Sequence, residues 1–283
     1  MKTMPRIFDC FTYFNEDAML DLRLETLAEV VDVFVVVEAT RTHTGRSKPL
    51  LFDRDRFPGF ADRIRHIVVD DLSPNVADAW ENENHQRNSI LRALDDAEPL
   101  DRIIVADLDE IPNPDAIRRY RPSRLFGTFI QRWFNYSLNN LAVRDEDPSR
   151  DRNWVRCRIT TKRHLDHFFK TPQRLRLLDR GPGAAARWHQ LRRKLGEQRI
   201  ADGGWHFSWA MSPEQMILKI ESYAHTEDDR PEFKSVTAIE EAIRNGRDIL
   251  GKNERFRLIP IDETFPQPLQ DHPKRYESLI IQP

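Results

Sequence analysis

Four short apolar runs fall within the first 107 residues, at 7–14, 33–37, 64–69 and 103–106. They are rich in β-branched and aromatic side chains and read as strands. Between them lie segments of a different period. Residues 17–30 carry Leu20, Leu24 and Leu27 at helical spacing, and residues 77–97 form a polar stretch with a narrow stripe through Ile90, Leu91 and Leu94. Strands alternating with helices close into parallel βαβ units, so an α/β fold is expected. The last of the four runs leads into Asp107-Leu108-Asp109-Glu110-Ile111-Pro112. Carboxylates at the C-terminal end of a buried strand lie at the rim of an open α/β sheet, where such sheets bind ligands.

After Pro122 the pattern changes. Residues 126–138 are aromatic and strand-like, 155–161 suggest another strand, and the charged stretch 144–153 reads as a loop. Gly181-Pro182-Gly183 is a further break, 213–224 and 233–244 read as helices, and 256–261 as a short strand. With 283 residues, no repeat and no clear linker, a single domain over 1–283 is the simplest organisation, its halves divided near residue 122. The 44 basic and 46 acidic residues nearly cancel, which points to neither nucleic acid nor a membrane surface. The stretch 174–199 is locally basic and suits either a solvated face or a phosphate or glycan contact. Cys10 and Cys157 have no metal-ligand spacing and form no disulfide framework, which fits a reducing compartment. The N-terminal residues do not read as a signal peptide. No apolar run approaches the roughly 18 residues of a transmembrane candidate, so a soluble, cytoplasmic protein is expected.

Several constellations carry chemistry. Asp107 and Asp109 are oxygen ligands suited to Mg²⁺ or Mn²⁺, and such an ion can hold a diphosphate; an acidic solvated turn is the alternative. Asn15 and Glu16 close the first strand, where they would cap the next helix or reach a nucleobase or ribose. The segment from Glu38 to Pro49, with three threonines, Gly45 and Lys48, forms either a polar turn or a loop that meets sugar and phosphate oxygens. Glu83 and Arg87 are one helical turn apart and can pair, or Arg87 and Asn88 can face the sheet rim. In Gly203-Gly204-Trp205-His206-Phe207-Ser208-Trp209 the glycines permit close backbone approach, and His206 could complete a site begun by the two aspartates. His225 competes for that role.

Taken in order, these pieces resemble glycosyltransferase family 17. The likeness runs through Phe8-Asp9, Phe14-Asn15-Glu16 and Val31-Asp32-x-Phe34-Val35-Val36-Val37-Glu38. It continues with Thr42-x-Thr44-Gly45-x-x-Lys48-Pro49 and Asp107-x-Asp109-Glu110-Ile111-Pro112. It ends with Gly204-Trp205-His206-Phe207-Ser208, Lys219-Ile220 and Ala224-His225-Thr226-Glu227. The resemblance implies a GT-A-like, Rossmann-related fold with a mixed, mostly parallel sheet flanked by helices. It implies transfer of a sugar, N-acetylglucosamine from a UDP donor, to a hydroxyl of a glycan or lipid-linked sugar, with inversion and with Mn²⁺ or Mg²⁺. The half before residue 122 would bind the nucleotide sugar, and the half after it would bind the acceptor and complete the metal site. By position, Asp107 would meet the ribose or the metal, Asp109 would be the main metal ligand and His206 a further one. Asn15, Glu16, Lys48, Arg87 and Asn88 would border the donor.

An inverting transfer needs a carboxylate to take the acceptor's proton. Glu110, Glu214 and Glu38 are the candidates, with Glu146 and Asp147 in the charged loop as others. Two rival classes remain: a sugar nucleotidyltransferase, disfavoured because residues 11–17 contain no glycine, and a non-catalytic nucleotide- or glycan-binding relative.

Overall fold

The computed structural model describes residues 4–144, 146–177, 196–251 and 254–282. Four parallel strands open the chain: β1 (Ile7–Tyr13), β2 (Val33–Ala39), β3 (Ile64–Val69) and β4 (Arg102–Asp107). Then come β5 (Glu110–Pro112), β6 (Phe126–Phe129), β7 (Gln131–Asn135), β8 (Asn140–Val143) and β9 (Asn153–Trp154). The last are β10 (Arg158–Thr161), β11 (Glu197–Ile200), β12 (Gly204–Ser208) and β13 (Arg255–Leu258).

A seven-stranded sheet runs β11-β6-β10-β4-β1-β2-β3, with β10 antiparallel to both its neighbours and the other pairings parallel. A six-stranded sheet runs β13-β8-β7-β12-β5, with β9 paired to β7. This is the mixed, mostly parallel α/β architecture expected. Alternate residues of the central strands enter different cores. Phe11, Phe34, Val36, Ile104 and Ala106 join one cluster, and Phe8, Cys10, Val35, Val37, Ile103 and Val105 the other. Strands buried on both faces read as unbroken apolar runs, which is why the sequence displays them so plainly.

The helices used below are α1 (Asp17–Leu27), α2 (Ala79–Asn88), α3 (Pro114–Arg118), α4 (Pro172–Leu177), α5 (Pro213–Ser222) and α6 (Val236–Arg244). Leucines 20, 24 and 27 of α1 pack on one face of the large sheet, while Ile90 and Leu94, just beyond α2, pack on the other. The helix expected over 77–97 is shorter. The Asp78 carboxylate caps α2 by accepting from the Trp80 amide, and the Ser89 hydroxyl turns back to the His85 carbonyl at 2.9 Å before a 3-10 turn over Ser89–Ala93. The strand expected over 126–138 is two strands belonging to different sheets, because the chain crosses between them at Ile130. The break at 181–183 and most of the basic stretch lie outside the described residues. Among those described, no helix is long and apolar enough to cross a membrane.

Three segments pass from the large sheet into the small one: β4 into β5, β6 into β7, and β11 into β12. The crossings are laced together. The Gly203 amide donates to Ile130 at 2.8 Å, that of Ile130 to Ile200 at 2.9 Å, and that of Asn113 to Gly203 at 3.0 Å. Gly204 lies at φ +115, and a Cβ there would stand 2.2 Å from the Ile111 carbonyl oxygen. The close backbone approach read from the paired glycines occurs at this joint, and Asp107 to Glu110 is the turn at the first crossing.

Candidate active site

A cleft of about 480 Å³ opens where the two sheets part, and both halves of the chain line it. Its floor is the acidic turn. Asp107 ends β4 beside Thr12 of β1, and the Asp109 carbonyl accepts from Phe207 of β12 at 2.8 Å. Pairing of β12 with β5 sets His206 opposite Glu110, and pairing with β7 sets it opposite Trp133. His206 Nε2 thereby comes to 3.5 Å from Asp109 Oδ1. At that length the contact is electrostatic rather than a good hydrogen bond. Asp109 Oδ1 and His206 Nδ1 are both buried with no hydrogen-bond partner. Burial pushes the Asp109 carboxyl up, but His206 and then Lys219 outweigh it and hold the group below its ordinary range.

Asp107 is engaged differently. Arg87 Nη2 donates to Oδ1 at 2.7 Å, and Arg176 donates to Oδ2. Both guanidiniums are buried and both line the cleft. Burial raises the Asp107 carboxyl, and the charges of Arg176 and then Arg87 reverse this, holding it well below the usual carboxylate range. Arg87 also takes the expected helical pair with Glu83, at 2.8 Å, and reaches Gln173 of α4 at 2.6 Å. Arg176 also reaches Glu110, at 2.5 Å and 2.8 Å.

The three carboxylates expected to serve as base stand outside the cleft. Glu110 is fully buried and accepts from Arg176, from the Trp154 indole and, at 3.0 Å, from the Asp107 amide. It braces the acidic turn from behind. Glu38 is also fully buried, accepting from the Leu51 amide at 2.6 Å, from His66 and Phe52 at 3.2 Å, and from Lys48 at 3.3 Å. Burial drives its pKa upward, but these donors, led by His66, outweigh it and leave the group below its ordinary value. Glu214 lies exposed in the first turn of α5 and accepts from the Ser212 hydroxyl. Glu146 is exposed, and Asp147 accepts from Ser149 within the same loop. None of the five lines the cleft.

Of the residues expected to border the donor, Glu16, Lys48 and Arg87 line the cleft, whereas Asn15 and Asn88 do not. The α1 N-cap is Glu16 rather than Asn15, and its side chain makes no cap bond. It pairs instead with Lys219 of α5 at 3.2 Å. Asn88 accepts the Gln173 amide at 3.1 Å, which places it under α4. His225 lines the cleft with its ring 4.7 Å from Trp80 and its Nδ1 2.8 Å from Glu227.

The residues that sequence reasoning missed are Arg176, Gln173, Trp154 and Arg23. Arg176 had a signal, since it lies in the locally basic stretch. Arg23 had one too, as a charge at helical spacing from Leu20 and Leu27: fully buried on α1, it forks onto Asp9 at 2.6 Å and 2.7 Å. Its Nη1 donates to the carbonyls of Asp107, Leu108 and Glu110 at 3.1, 3.0 and 2.9 Å.

Among the described residues no three His, Cys, Asp or Glu side chains gather into a group able to hold a metal alone. The donor set still fits Mg²⁺ or Mn²⁺ completed by phosphate oxygens, because such ions are held through one or two protein groups plus substrate. Asp109 Oδ1 and His206 Nε2, 3.5 Å apart, are that pair.

Comparison with known proteins agrees with this geometry. Residues 1–142, which include the acidic turn and the first four parallel strands, match glycosyltransferase family 17. A human β-1,4-mannosyl-glycoprotein 4-β-N-acetylglucosaminyltransferase is 31% identical over 121 residues, and the rat enzyme of the same name is likewise 31% identical. The human alignment covers 40% of this chain and 23% of the relative. With half the chain matched to the family and the matched half carrying the floor of the cleft, this chain belongs to glycosyltransferase family 17.

Proposed function

We propose that the chain moves N-acetylglucosamine from a UDP donor to a hydroxyl of a glycan or lipid-linked sugar, with inversion and with the help of Mn²⁺ or Mg²⁺. The observation that carries this reading is the meeting of Asp109 Oδ1, just past β4, with His206 Nε2 of β12, 3.5 Å apart, the Asp109 oxygen being buried with no hydrogen-bond partner. The matched relatives are N-acetylglucosaminyltransferases by name, which supports the sugar. A bound divalent cation would neutralise charge gathering on the departing diphosphate.

The chain's own residues supply the rest. Asp109 and His206 hold the ion. Arg87 and Arg176, held by Asp107, Glu83 and Glu110, keep fixed N–H donors in the cleft wall, and preorganised donors of this kind stabilise a leaving anion without rearrangement. The acceptor proton passes to a carboxylate of the cleft wall, where Asp228, Asp248 and Glu254 stand. Calorimetry with UDP and Mn²⁺ tests the assignment. Asp109→Asn and His206→Ala should each lower the Mn²⁺-dependent affinity for UDP by about tenfold or more while the fold persists. If both variants titrate like the parent chain, the metal assignment is wrong. An unaltered rate of UDP release in all three of Asp228→Asn, Asp248→Asn and Glu254→Gln would rule out a base on the wall.

A further inference from the structure

Unpaired buried polar atoms are not spread evenly over the molecule. Those of His43, Arg87, Asp109, Trp133, Asn135 and His206 all belong to residues that line the cleft. The Asp109 oxygen is explained by the metal reading, on which the following inference rests. Trp133 Nε1 and Asn135 Oδ1 are not. Both residues are more than nine-tenths buried. They lie two positions apart on β7, so their side chains share a face, roughly 6.6 Å apart along the strand. Register with β12 sets His206 opposite Trp133 and Ser208 opposite Asn135, and all four line the cleft.

We infer that Trp133 and Asn135 form a subsite for the hydroxyls of one pyranosyl ring, held beside the metal-binding pair. The two unmade bonds differ in kind: an indole N–H that can only donate and an amide oxygen that can only accept. The diester phosphates of a nucleotide sugar have no proton to give to Asn135 Oδ1, so the pair does not suit them. Sugar hydroxyls do both. The flanks suit the apolar face of a sugar. The Trp154 ring lies 5.6 Å from that of Trp133, and Trp209 lines the cleft just past β12. Trp209 is held at φ +56, and strained backbone in a non-glycine residue gathers at sites of function. The Trp133 face is covered by the Arg152 guanidinium at 4.9 Å, so its N–H is what it offers. Arg152 is part-exposed and 3.4 Å from Glu254.

The ring belongs either to the donor or to the acceptor, and two variants separate the cases. Trp133→Phe deletes the N–H and keeps an aromatic ring, and Asn135→Leu deletes the amide at similar volume. Affinities for UDP and UDP-N-acetylglucosamine are measured with Mn²⁺ by calorimetry. Contact with methyl β-mannopyranoside is measured by saturation-transfer NMR, with and without UDP and Mn²⁺. A donor ring predicts unchanged UDP affinity and about tenfold weaker UDP-N-acetylglucosamine in each variant, one hydrogen bond being lost. An acceptor ring predicts unchanged affinity for both nucleotides and loss of the mannoside signal. Because the deleted atoms have no partner in the fold, the thermal midpoint should not fall in either case. The subsite is overturned if the variants bind every probe as the parent does, if the parent contacts no sugar ring, or if UDP affinity and thermal midpoint fall together. A parent chain that binds the mannoside through Asn135 but ignores both nucleotides refutes the donor reading and leaves the subsite standing.

Discussion

Asp107 and Asp109 are two residues apart and chemically identical, yet their surroundings give them different work. Asp107 spends both oxygens on buried arginines, whereas Asp109 keeps a buried oxygen unpaired beside His206. Asp107 therefore acts through the arginines, fixing two guanidiniums that line the cleft. Asp107→Asn keeps the size and one acceptor but drops the charge shared by Arg87 and Arg176. Its expected effect is a loss of about 1.5–3 kcal/mol in stability, the scale of a charge-assisted hydrogen bond, read by urea titration. Its Mn²⁺ titration in the presence of UDP should stay within about twofold of the parent, in contrast to Asp109→Asn. A collapse of metal affinity equal to that of Asp109→Asn would make Asp107 a ligand after all. The sequence displayed both carboxylates but could not tell them apart. What distinguishes them is Arg176, distant in the chain and brought in by α4.

At the scale of the element, α1 shows where pattern reading stops. Its leucines announce a helix packed on the sheet, and Arg23, three residues after Leu20 and four before Leu27, falls on that same side, a charge where the pattern expects an apolar residue. In the fold Arg23 and Leu22 are fully buried as well, so α1 is covered on several sides. The charge is tolerated because Asp9 on β1 neutralises it and three carbonyls of the acidic turn take up its remaining donors. One buried cation thereby ties α1, β1 and the acidic turn into a unit, and no local signal marks such a tie. β5 and β12 went unread for a related reason. One is three residues long, and the other carries glycine and polar side chains that read as a site before they read as a strand. Breaking a buried pair on one side strands the other charge, which costs about 3–5 kcal/mol. Arg23→Met should lose that much stability by urea titration, and Asp9→Leu combined with Arg23→Met should recover part of it. If the single variant is as stable as the parent, the Asp9–Arg23 tie is not what holds the turn.

Across the whole molecule, the cleft exists because three strand segments leave one sheet and enter another side by side. Each crossing is short, so the backbones at the joint have to approach closely. Ile130, Gly203 and Asn113 are stitched together there, and Gly204 is pressed against residues 111–113 of the β4–β5 crossing. The sequence revealed that some close approach occurs at 203–204. It could not reveal the partner, which lies about ninety residues earlier. A methyl group at Gly204 meets backbone atoms at 2.2, 2.6 and 2.8 Å, and backbone cannot swing aside as a side chain can. The φ of +115 adds strain that only glycine escapes. Gly204→Ala should therefore cost about 3 kcal/mol or more, while Gly59→Ala, with nothing within 4 Å of the added carbon, should change stability by less than about 1 kcal/mol. Because β12 carries His206 and its partner β5 follows directly from Asp109, a shift at the joint moves the two proposed metal ligands apart. Folded Gly204→Ala protein should then also bind UDP with Mn²⁺ more weakly, a loss Gly59→Ala does not share. A Gly204→Ala chain that melts with the parent and titrates like it would mean that the joint yields freely and does not position the site.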